Sequence, residues 1–243
     1  MQEHITLPAS FAREEDRVRA AYARRDGAGR DARYTWASPS HVFQSQERER
    51  HVLRLLRREG CLPLTGKTLL DVGCGNGTWL REFIKWGAQP HDLTGVDLLP
   101  ARVEQAVQLC PADTRIDCGS ATDLPFPNDS FDIVLQATMF TSILDPTVRE
   151  RIAAEMRRVV KPDGFILWFD FHMNNPWNPD VRGVPKAEIQ RLFPGCRVQL
   201  RRTVLAAPLS RRTAPVSWLL SYVLARFAPL CTHYLGTIRK GSD

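Results

Sequence analysis

Residues 69–77 read Leu-Leu-Asp-Val-Gly-Cys-Gly-Asn-Gly, an apolar run that ends in a glycine-dense turn. The apolar run predicts a buried strand, and the glycines allow the backbone to turn sharply and to lie directly against a ligand. A second short apolar segment ends in Asp97, roughly 20 residues beyond the turn, where a nucleotide-binding βαβ unit places the carboxylate that holds a ribose. The pattern predicts an α/β fold with a site for a nucleoside-containing ligand.

The spacing of the glycines argues against a dinucleotide. A dinucleotide fingerprint reads G-x-G-x-x-G, which lets a pyrophosphate rest on the N-terminus of the following helix. Here the turn reads Gly73-x-Gly75-x-Gly77. This spacing disfavours an NAD-dependent oxidoreductase.

Further motifs follow in order at residues 94–97, 119–126, 131–135 and 160–165. Together with residues 71–77 they resemble the class I S-adenosylmethionine (SAM)-dependent methyltransferases over roughly residues 65–170. The resemblance implies a Rossmann-like, doubly wound, seven-stranded sheet whose last strand is antiparallel. It also implies SAM as the methyl donor and S-adenosylhomocysteine as the product.

The same resemblance implies which residues hold the cofactor. The methionine end of SAM is expected near the glycine turn, the ribose at Asp97, and the adenine against Leu98 and the loop after the third strand. The expected cofactor-binding residues are Asp71, Gly73, Cys74, Gly75, Asp97, Leu98, Ser120, Ala121, Thr122 and Gln136. Many family members carry an aspartate at the place of Ser120, so the adenine contact is left open between Ser120 and Asp123.

Hydrophobic periodicity places the remaining elements. Strands are predicted near 67–72, 92–97, 114–117, 131–137 and 164–170, with helices near 77–86, 100–109 and 146–160. Two helices, 11–25 and 44–59, are predicted before them, and residues 161–164 are predicted to form a turn. After them we expect a helix at 185–193, a strand at 197–205, a long apolar helix at 214–227 and a final strand at 232–239.

Domain organisation follows from these elements. Residues 1–60 are expected to form an N-terminal helical cap or lid, and residues 61–243 the SAM-binding core, with a helical insertion at about 206–230. The apolar helix of the insertion has three open roles: a wall of the acceptor pocket, a homodimer contact or a membrane contact. Membrane contact has the weakest support from sequence because few lysines flank the helix.

The amino-acid composition limits the classes of protein to which this chain can belong. The chain has 243 residues, 43% of them hydrophobic and 25% charged, with a net charge of +6, which is typical of one globular core with a small cap. The six cysteines show no C-x-x-C pair, so no zinc or other metal site is expected. The N-terminus lacks a signal-peptide pattern, which favours the cytoplasm, and the apolar run at 216–230 is too short for a membrane span. No dense basic block indicates nucleic acid as a partner.

Candidate acceptor residues lie after the fifth strand, because open α/β sheets bind ligands at the carboxyl ends of their strands. His172 is the candidate general base, since its pKa suits proton transfer near neutral pH. Arg182 and Lys186 are candidates to hold an anionic acceptor. Asn174 in the same loop and Tyr34 in the N-terminal lid complete the expected substrate set.

These residues favour methyl transfer to a small molecule. We expect O-methylation of a natural-product or sugar intermediate, with an anionic phosphonate or carboxylate acceptor as one form of it. N-methylation of an amino sugar, methylation of RNA or protein, and a non-catalytic SAM-binding scaffold stay open as alternatives. Methylation of a nucleic-acid base is disfavoured because residues 136–139 read Gln-Ala-Thr-Met where such enzymes carry Asn/Asp-Pro-Pro-Tyr/Phe.

Overall fold

The computed structural model describes residues 9–27 and 35–241, which form a seven-stranded sheet with helices on both faces. The strands are β1 (Leu69–Val72), β2 (Leu93–Asp97), β3 (Arg115–Cys118), β4 (Phe131–Ala137), β5 (Val160–Phe171), β6 (Cys196–Leu205) and β7 (Cys231–Lys240). The α-helices are α1 (Ala9–Gly27), α2 (Pro39–Arg58), α3 (Thr78–Lys85), α4 (Pro100–Leu109), α5 (Pro146–Val159), α6 (Lys186–Leu192), α7 (Ala207–Thr213) and α8 (Trp218–Ala225).

The strand order is β3-β2-β1-β4-β5-β7-β6. Strands β1 to β5 are parallel, and β7 runs antiparallel to both β5 and β6. This confirms the predicted Rossmann-like sheet with an antiparallel last strand. The order reverses between β1 and β4, so the carboxyl ends of these two strands border the crevice where such sheets bind ligands.

Both faces of the sheet are buried, which explains the nearly continuous apolar runs of its strands. Leu70 of β1 packs with Ile152 of α5 on one face. The adjacent Leu69 packs with Phe83 of α3 on the other face, where α2 also contributes. Alternation along the strand thus divides the core into two layers.

The first half of the chain follows its predicted elements closely. Helix α2 begins at Pro39, earlier than the predicted start at residue 44. Proline suits the first turn of a helix because its missing N–H would have no partner there. The apolar stripe that predicted α2 starts later than the helix itself.

The helix predicted at 214–227 is shorter than expected, because α8 spans only Trp218–Ala225, and the prediction missed α7 before it. The segment between β6 and β7 holds two helices, α7 and α8. Pro215 and Ser217 separate them, and the Ser217 side chain caps α8 by accepting a hydrogen bond from the Leu220 N–H at 3.2 Å. Within the described ranges, no helix combines the length and the apolar character needed to cross a bilayer.

The predicted turn at residues 161–164 is also wrong, because β5 already begins at Val160. Val160 pairs with Phe131, but the next register pair joins Phe165 to Ile133, so the strand starts with an irregularity. An irregular strand start and a turn share the same proline and glycine signals.

Candidate cofactor-binding site

A cavity of about 290 Å³ lies at the carboxyl ends of β1, β2 and β4. Four segments of the sheet side line it, namely residues 73–76, 96–99, 119–122 and 137–139. Helix α1 lines it from the opposite side through Glu14, Glu15, Val18 and Tyr22. Most of the expected cofactor-binding residues therefore meet around one cavity.

The glycine turn after β1 presents bare main chain to this cavity. Gly73, Gly75 and Gly77 all have φ in the left-handed region, at +76°, +54° and +72°, which glycine adopts without steric cost. A Cβ atom added at Gly75 would meet no atom within 4 Å. The turn thus leaves room where a side chain would otherwise stand, as a cradle for a ligand requires.

Asp97 lies at the end of β2 and joins the turn to the cavity. Its Oδ2 accepts a hydrogen bond from the Gly75 N–H at 2.8 Å, and its Oδ1 accepts one from the Leu99 N–H at 2.9 Å. Burial raises the pKa of Asp97, although these two hydrogen bonds and nearby Arg102 act in the opposite direction. Each oxygen retains a second lone pair for a ligand hydroxyl.

Asp71 lies beneath the turn and does not line the cavity. Its side chain is buried, and neither carboxyl oxygen has a hydrogen-bond partner among the described residues. Burial raises the pKa of Asp71 to about 8, and the negative charge of Asp97 adds to the rise. A buried carboxyl without a partner is costly, and a cationic group above the turn would relieve that cost.

The loop after β3 closes the cavity beside Leu98. The Ser120 and Thr122 hydroxyls lie 2.7 Å apart, and Ser120 Oγ accepts a hydrogen bond from the Thr122 N–H at 3.2 Å. Ser120, Ala121 and Thr122 all line the cavity. Asp123 is exposed and does not line it, so the structure places only Ser120 of the two alternatives at the cavity.

The end of β4 forms the wall facing the glycine turn. Gln136 is buried below this wall and does not line it, and its Oε1 faces the Met139 N–H at 3.4 Å. Thr138 lines the wall with φ at +57°, a strained value for a non-glycine residue. Met139 lies so close to Gly73 that a Cβ at Gly73 would stand 2.6 Å from Met139 Cγ.

These features suit the parts of SAM. The open turn suits the methionine end, the unpartnered Asp71 lies under that end, and Asp97 presents acceptors for a ribose. The family model described as a methyltransferase domain matches residues 69–164, which contain all four sheet-side segments that line the cavity. The chain carries a class I, SAM-dependent methyltransferase domain.

The names of the sequence relatives of the methyltransferase domain refer to lipid and hydroquinone substrates. The chain is 31% identical over 156 residues to a phthiotriol/phenolphthiotriol dimycocerosates methyltransferase of Mycobacterium tuberculosis, covering 60% of this chain and 55% of the relative. It is 36% identical over 124 residues to the 2-methyl-6-phytyl-1,4-hydroquinone methyltransferase of Synechocystis, covering 49% and 35%. The chain thus spans about half, or less, of the curated relatives it matches.

Solved structures share the fold of the methyltransferase domain. An S-adenosylmethionine-dependent methyltransferase from Mesorhizobium loti superposes with a TM-score of 0.56 at 18% identity, covering 76% of this chain and 95% of that chain. The [4+2]-cyclase SpnF superposes with a TM-score of 0.60 at 18% identity, covering 88% and 86%. At such identities the likeness concerns the fold alone.

The residues predicted on the acceptor side do not line the methyltransferase cavity. His172 Nε2 donates to the Cys231 carbonyl at 2.8 Å, and its ring packs on Tyr234. Arg182 donates to Glu188 Oε1 at 2.9 Å.

Three further residues were predicted on the acceptor side. Asn174 accepts a hydrogen bond from the Gly183 N–H at 3.0 Å, and Lys186 is exposed at the start of α6. Tyr34 lies outside the described residues.

Sequence reasoning missed the contacts that seat α1 on the methyltransferase core. Glu14 accepts hydrogen bonds from Arg17 at 2.8 Å and from the Leu144 N–H at 2.5 Å. Arg17 also donates to the Ser142 carbonyl at 2.5 Å. Burial alone would raise the pKa of Glu14, but the hydrogen bonds from Arg17 and Leu144 hold it below its usual value. Nothing in the charged sequence of α1 singled out this pair.

The loop that receives α1 is held from below by a buried polar pair, which was also missed. Asp170 accepts hydrogen bonds from the N–H and the hydroxyl of Thr141. Arg149 is fully buried and donates to the Ile143 carbonyl at 2.6 Å. Burial raises the pKa of Asp170 to about 6, although its hydrogen bonds act against that rise. These contacts position Ser142 and Ile143, which line the cavity.

Proposed function

We propose that this protein transfers the methyl group of SAM to a hydroxyl group of a small, lipophilic acceptor. The observation that carries the proposal is the cavity in which the open Gly75 main chain and the Asp97 carboxylate meet at the strand ends. The names of the relatives support the acceptor class, because a triol dimycocerosate and a phytyl hydroquinone are both lipophilic and hydroxylated.

The cavity lining favours an uncharged acceptor over an anionic one. Val18 of α1, Ile143 and, from α5, Val148 and Ile152 give it apolar walls. Arg102 is the only cation among the described lining residues, and its charge acts on Asp97. An apolar acceptor therefore suits this cavity better than the phosphonate or carboxylate acceptor that Arg182 and Lys186 indicated.

The chemistry asks mainly for positioning. SAM supplies a methyl group bound to a positively charged sulfur. The sulfur loses its positive charge during methyl transfer, so the site does not need to stabilise a new charge. The residues of this chain hold the sugar at Asp97, keep the turn open at Gly75 and exclude water with apolar walls. Methyl transfer to a hydroxyl group also releases the hydroxyl proton, which needs an acceptor. None of the described residues that line the cavity is a histidine, whereas the carboxylates of Glu14 and Glu15 do line it, so the proton would leave to one of these carboxylates or to solvent.

We propose that α1 acts as a lid over the cavity. Glu14 and Arg17 fasten this helix to the loop after β4, while Val18 and Tyr22 face the cavity. Phe11 and Val18 of α1 are also buried in the core, so the lid would close through apolar burial as well as through these hydrogen bonds. Its detachment would admit a ligand, and its return would exclude water. Of the cap predicted at residues 1–60, α1 would then act as the lid, whereas α2 packs into the core with Leu69 and Phe83.

Product analysis tests the proposal. SAM carrying a ¹³C-labelled methyl group is incubated with the protein and either a prenylated hydroquinone or a long-chain diol. The proposal predicts a labelled methyl ether, identified by the ¹³C shift of the methyl carbon, and its loss in Asp97→Ala. A methyl group on nitrogen or carbon would overturn the assignment to oxygen, and SAM binding without any labelled product would indicate a binding scaffold.

A further inference from the structure

Helix α8 buries its serine and leaves several of its large apolar side chains exposed to solvent. Ser221 is fully buried, while Leu219 and Val223 on the same helix are 73% and 48% exposed. Surface helices of globular proteins place their apolar stripe toward the core and their polar residues toward water. Helix α8 is apolar on its outer side as well as its inner side, and the described part of this chain does not cover the outer side.

The inward orientation of Ser221 is fixed by the fold. Its hydroxyl lies 2.8 Å from Thr213 Oγ1 of α7, which joins the two helices. Trp218 and Tyr222 pack edge-on against Phe43 of α2, with ring centroids 5.7 and 5.2 Å apart. Rotating α8 to bury its leucines would break all of these contacts, so the outer apolar face is a stable feature.

The exposed surface combines several large apolar side chains with side chains that carry only positive charge. Its large apolar side chains are Val216, Leu219, Leu220, Val223 and Phe227. Residues 206–230 contain Arg211, Arg212 and Arg226 and no aspartate or glutamate. All three arginines are exposed, and none forms an ion pair with a described residue. We call this set of eight side chains the insertion face.

Topology places the insertion face at the same edge of the sheet as the cavity. Both β5 and β6 run antiparallel to β7, so β6 is parallel to β1 to β5. Helices α7 and α8 follow the carboxyl end of β6, and the cavity lies at the carboxyl ends of β1, β2 and β4. A partner bound to the insertion face would therefore lie at the same edge of the sheet as the cavity.

Charge decides between a bilayer and a second copy as the occupant. A two-fold dimer through this face would bring the arginines of two copies together, and the segment has no carboxylate to oppose them. An anionic bilayer offers an apolar interior for the leucines and negative headgroups for the arginines. We propose that the insertion face docks this protein on the surface of an anionic lipid bilayer. The biological role of this docking rests on the proposed function, because a lipophilic acceptor would be reached in a bilayer.

Vesicle flotation tests the docking. The full chain is mixed with vesicles of phosphatidylcholine alone or of phosphatidylcholine with phosphatidylglycerol, at low and high salt. We expect binding to the anionic vesicles that weakens as salt rises. Leu219→Glu/Val223→Glu should lower the partition coefficient at least about tenfold, because two charges would have to enter the headgroup boundary. Arg211→Gln/Arg212→Gln/Arg226→Gln should remove the preference for anionic vesicles.

Val107→Glu is the matched control, because Val107 is 58% exposed on α4, which lies outside the insertion face. It should float like the wild type, and every variant should keep its SAM affinity, which shows that it is folded. Wild-type protein that fails to bind either vesicle, or a Leu219→Glu/Val223→Glu variant that binds normally, would overturn the docking. A dimer that this variant dissociates, with no vesicle binding, would assign the face to a second copy. Vesicle binding without SAM binding would instead contradict the proposed function and leave the docking intact.

Discussion

The Oδ2 atom of Asp97 accepts a hydrogen bond from the Gly75 N–H at 2.8 Å, so the end of β2 and the turn after β1 form one unit. The same carboxylate presents its remaining lone pairs toward the cavity. It fixes the open conformation of the turn, and we propose that it also accepts hydrogen bonds from the hydroxyls of a ribose. This arrangement would couple ligand binding to the geometry of the turn through one carboxylate.

Replacing Asp97 should weaken SAM binding. Asp97→Ala removes buried hydrogen bonds to the sugar and to Gly75, which corresponds to a loss of roughly 1–3 kcal/mol. Isothermal titration with SAM measures it. Asp123→Ala is the matched control, because Asp123 is exposed at the edge of the same loop region and does not line the cavity. Equal SAM affinity in the wild type and Asp97→Ala would refute the role of this carboxylate.

Gly75→Ala separates ligand binding from backbone strain. Gly75 has φ at +54° and Gly87 has φ at +100°, and an added Cβ would meet no atom within 4 Å at either position. Each alanine should therefore lower the stability by about 1–2 kcal/mol through strain alone. Only Gly75→Ala should also weaken SAM binding, because its methyl group would enter the cradle. If Gly87→Ala weakens SAM binding equally, the effect comes from strain and the cradle is not supported.

Asp71 should make the ligand-free protein less stable as pH rises. Its folded pKa of about 8 lies above the ordinary value of 3.8. Between these values the folded state keeps a proton that the unfolded state has lost, so the free energy of unfolding falls as pH rises through this window. Asp71→Asn stays neutral and should flatten the slope, with a higher melting temperature at pH 8 and weaker SAM binding.

Melting curves of the ligand-free protein from pH 5 to pH 8 measure this effect. Asp117→Asn offers the control, since Asp117 is a partly exposed β3 residue paired with Arg115. The same pH slope in the wild type and in Asp71→Asn would mean that Asp71 does not titrate in this window.

Glu14 should control the attachment of α1. Glu14→Ala removes the acceptor for Arg17 and the Leu144 N–H, so we expect faster proteolysis within α1 and weaker SAM binding. Because the pKa of Glu14 is held below its usual value, the wild-type attachment should persist above about pH 4.5 and weaken as pH falls further. Asp16→Ala, on the exposed face of the same helix, should digest and bind like the wild type. Unchanged digestion of Glu14→Ala would count against the lid.

The acceptor residues chosen from sequence should be dispensable for turnover. His172→Ala loses a hydrogen bond to the Cys231 carbonyl and Arg182→Ala loses one to Glu188, and both groups lie away from the cavity. We expect unchanged kcat and an unchanged pH profile for both variants, with small losses of melting temperature. A loss of the alkaline limb of the rate profile in His172→Ala would restore His172 as the base.

Local patterns predicted the sheet and the cofactor side because those features depend on residues close in sequence. The turn at Gly73 to Gly77 and the carboxylate at Asp97 belong to one βαβ unit, so spacing alone placed them at one site. The acceptor side depends on contacts across the chain, such as that of Glu14 with Leu144, and no local pattern encodes them. The sequence showed that His172 follows the end of β5. It could not show which way the imidazole ring points.

The helical insertion shows the same limit. The apolar composition of residues 214–227 predicted a helix there, but Pro215 and the Ser217 cap delay its start to Trp218. Which side of α8 faces the core was not predictable from its composition, because leucines surround Ser221 on both sides in sequence. The packing of Trp218 on Phe43, far away in the chain, decides it.

A crystal structure with S-adenosylhomocysteine bound tests the central claim most directly. We predict both ribose hydroxyls within hydrogen-bond distance of the Asp97 carboxylate, and the amino-acid end against the Gly73 to Gly75 main chain. A nucleoside bound elsewhere, or its absence from this cavity at saturating concentration, would contradict the account.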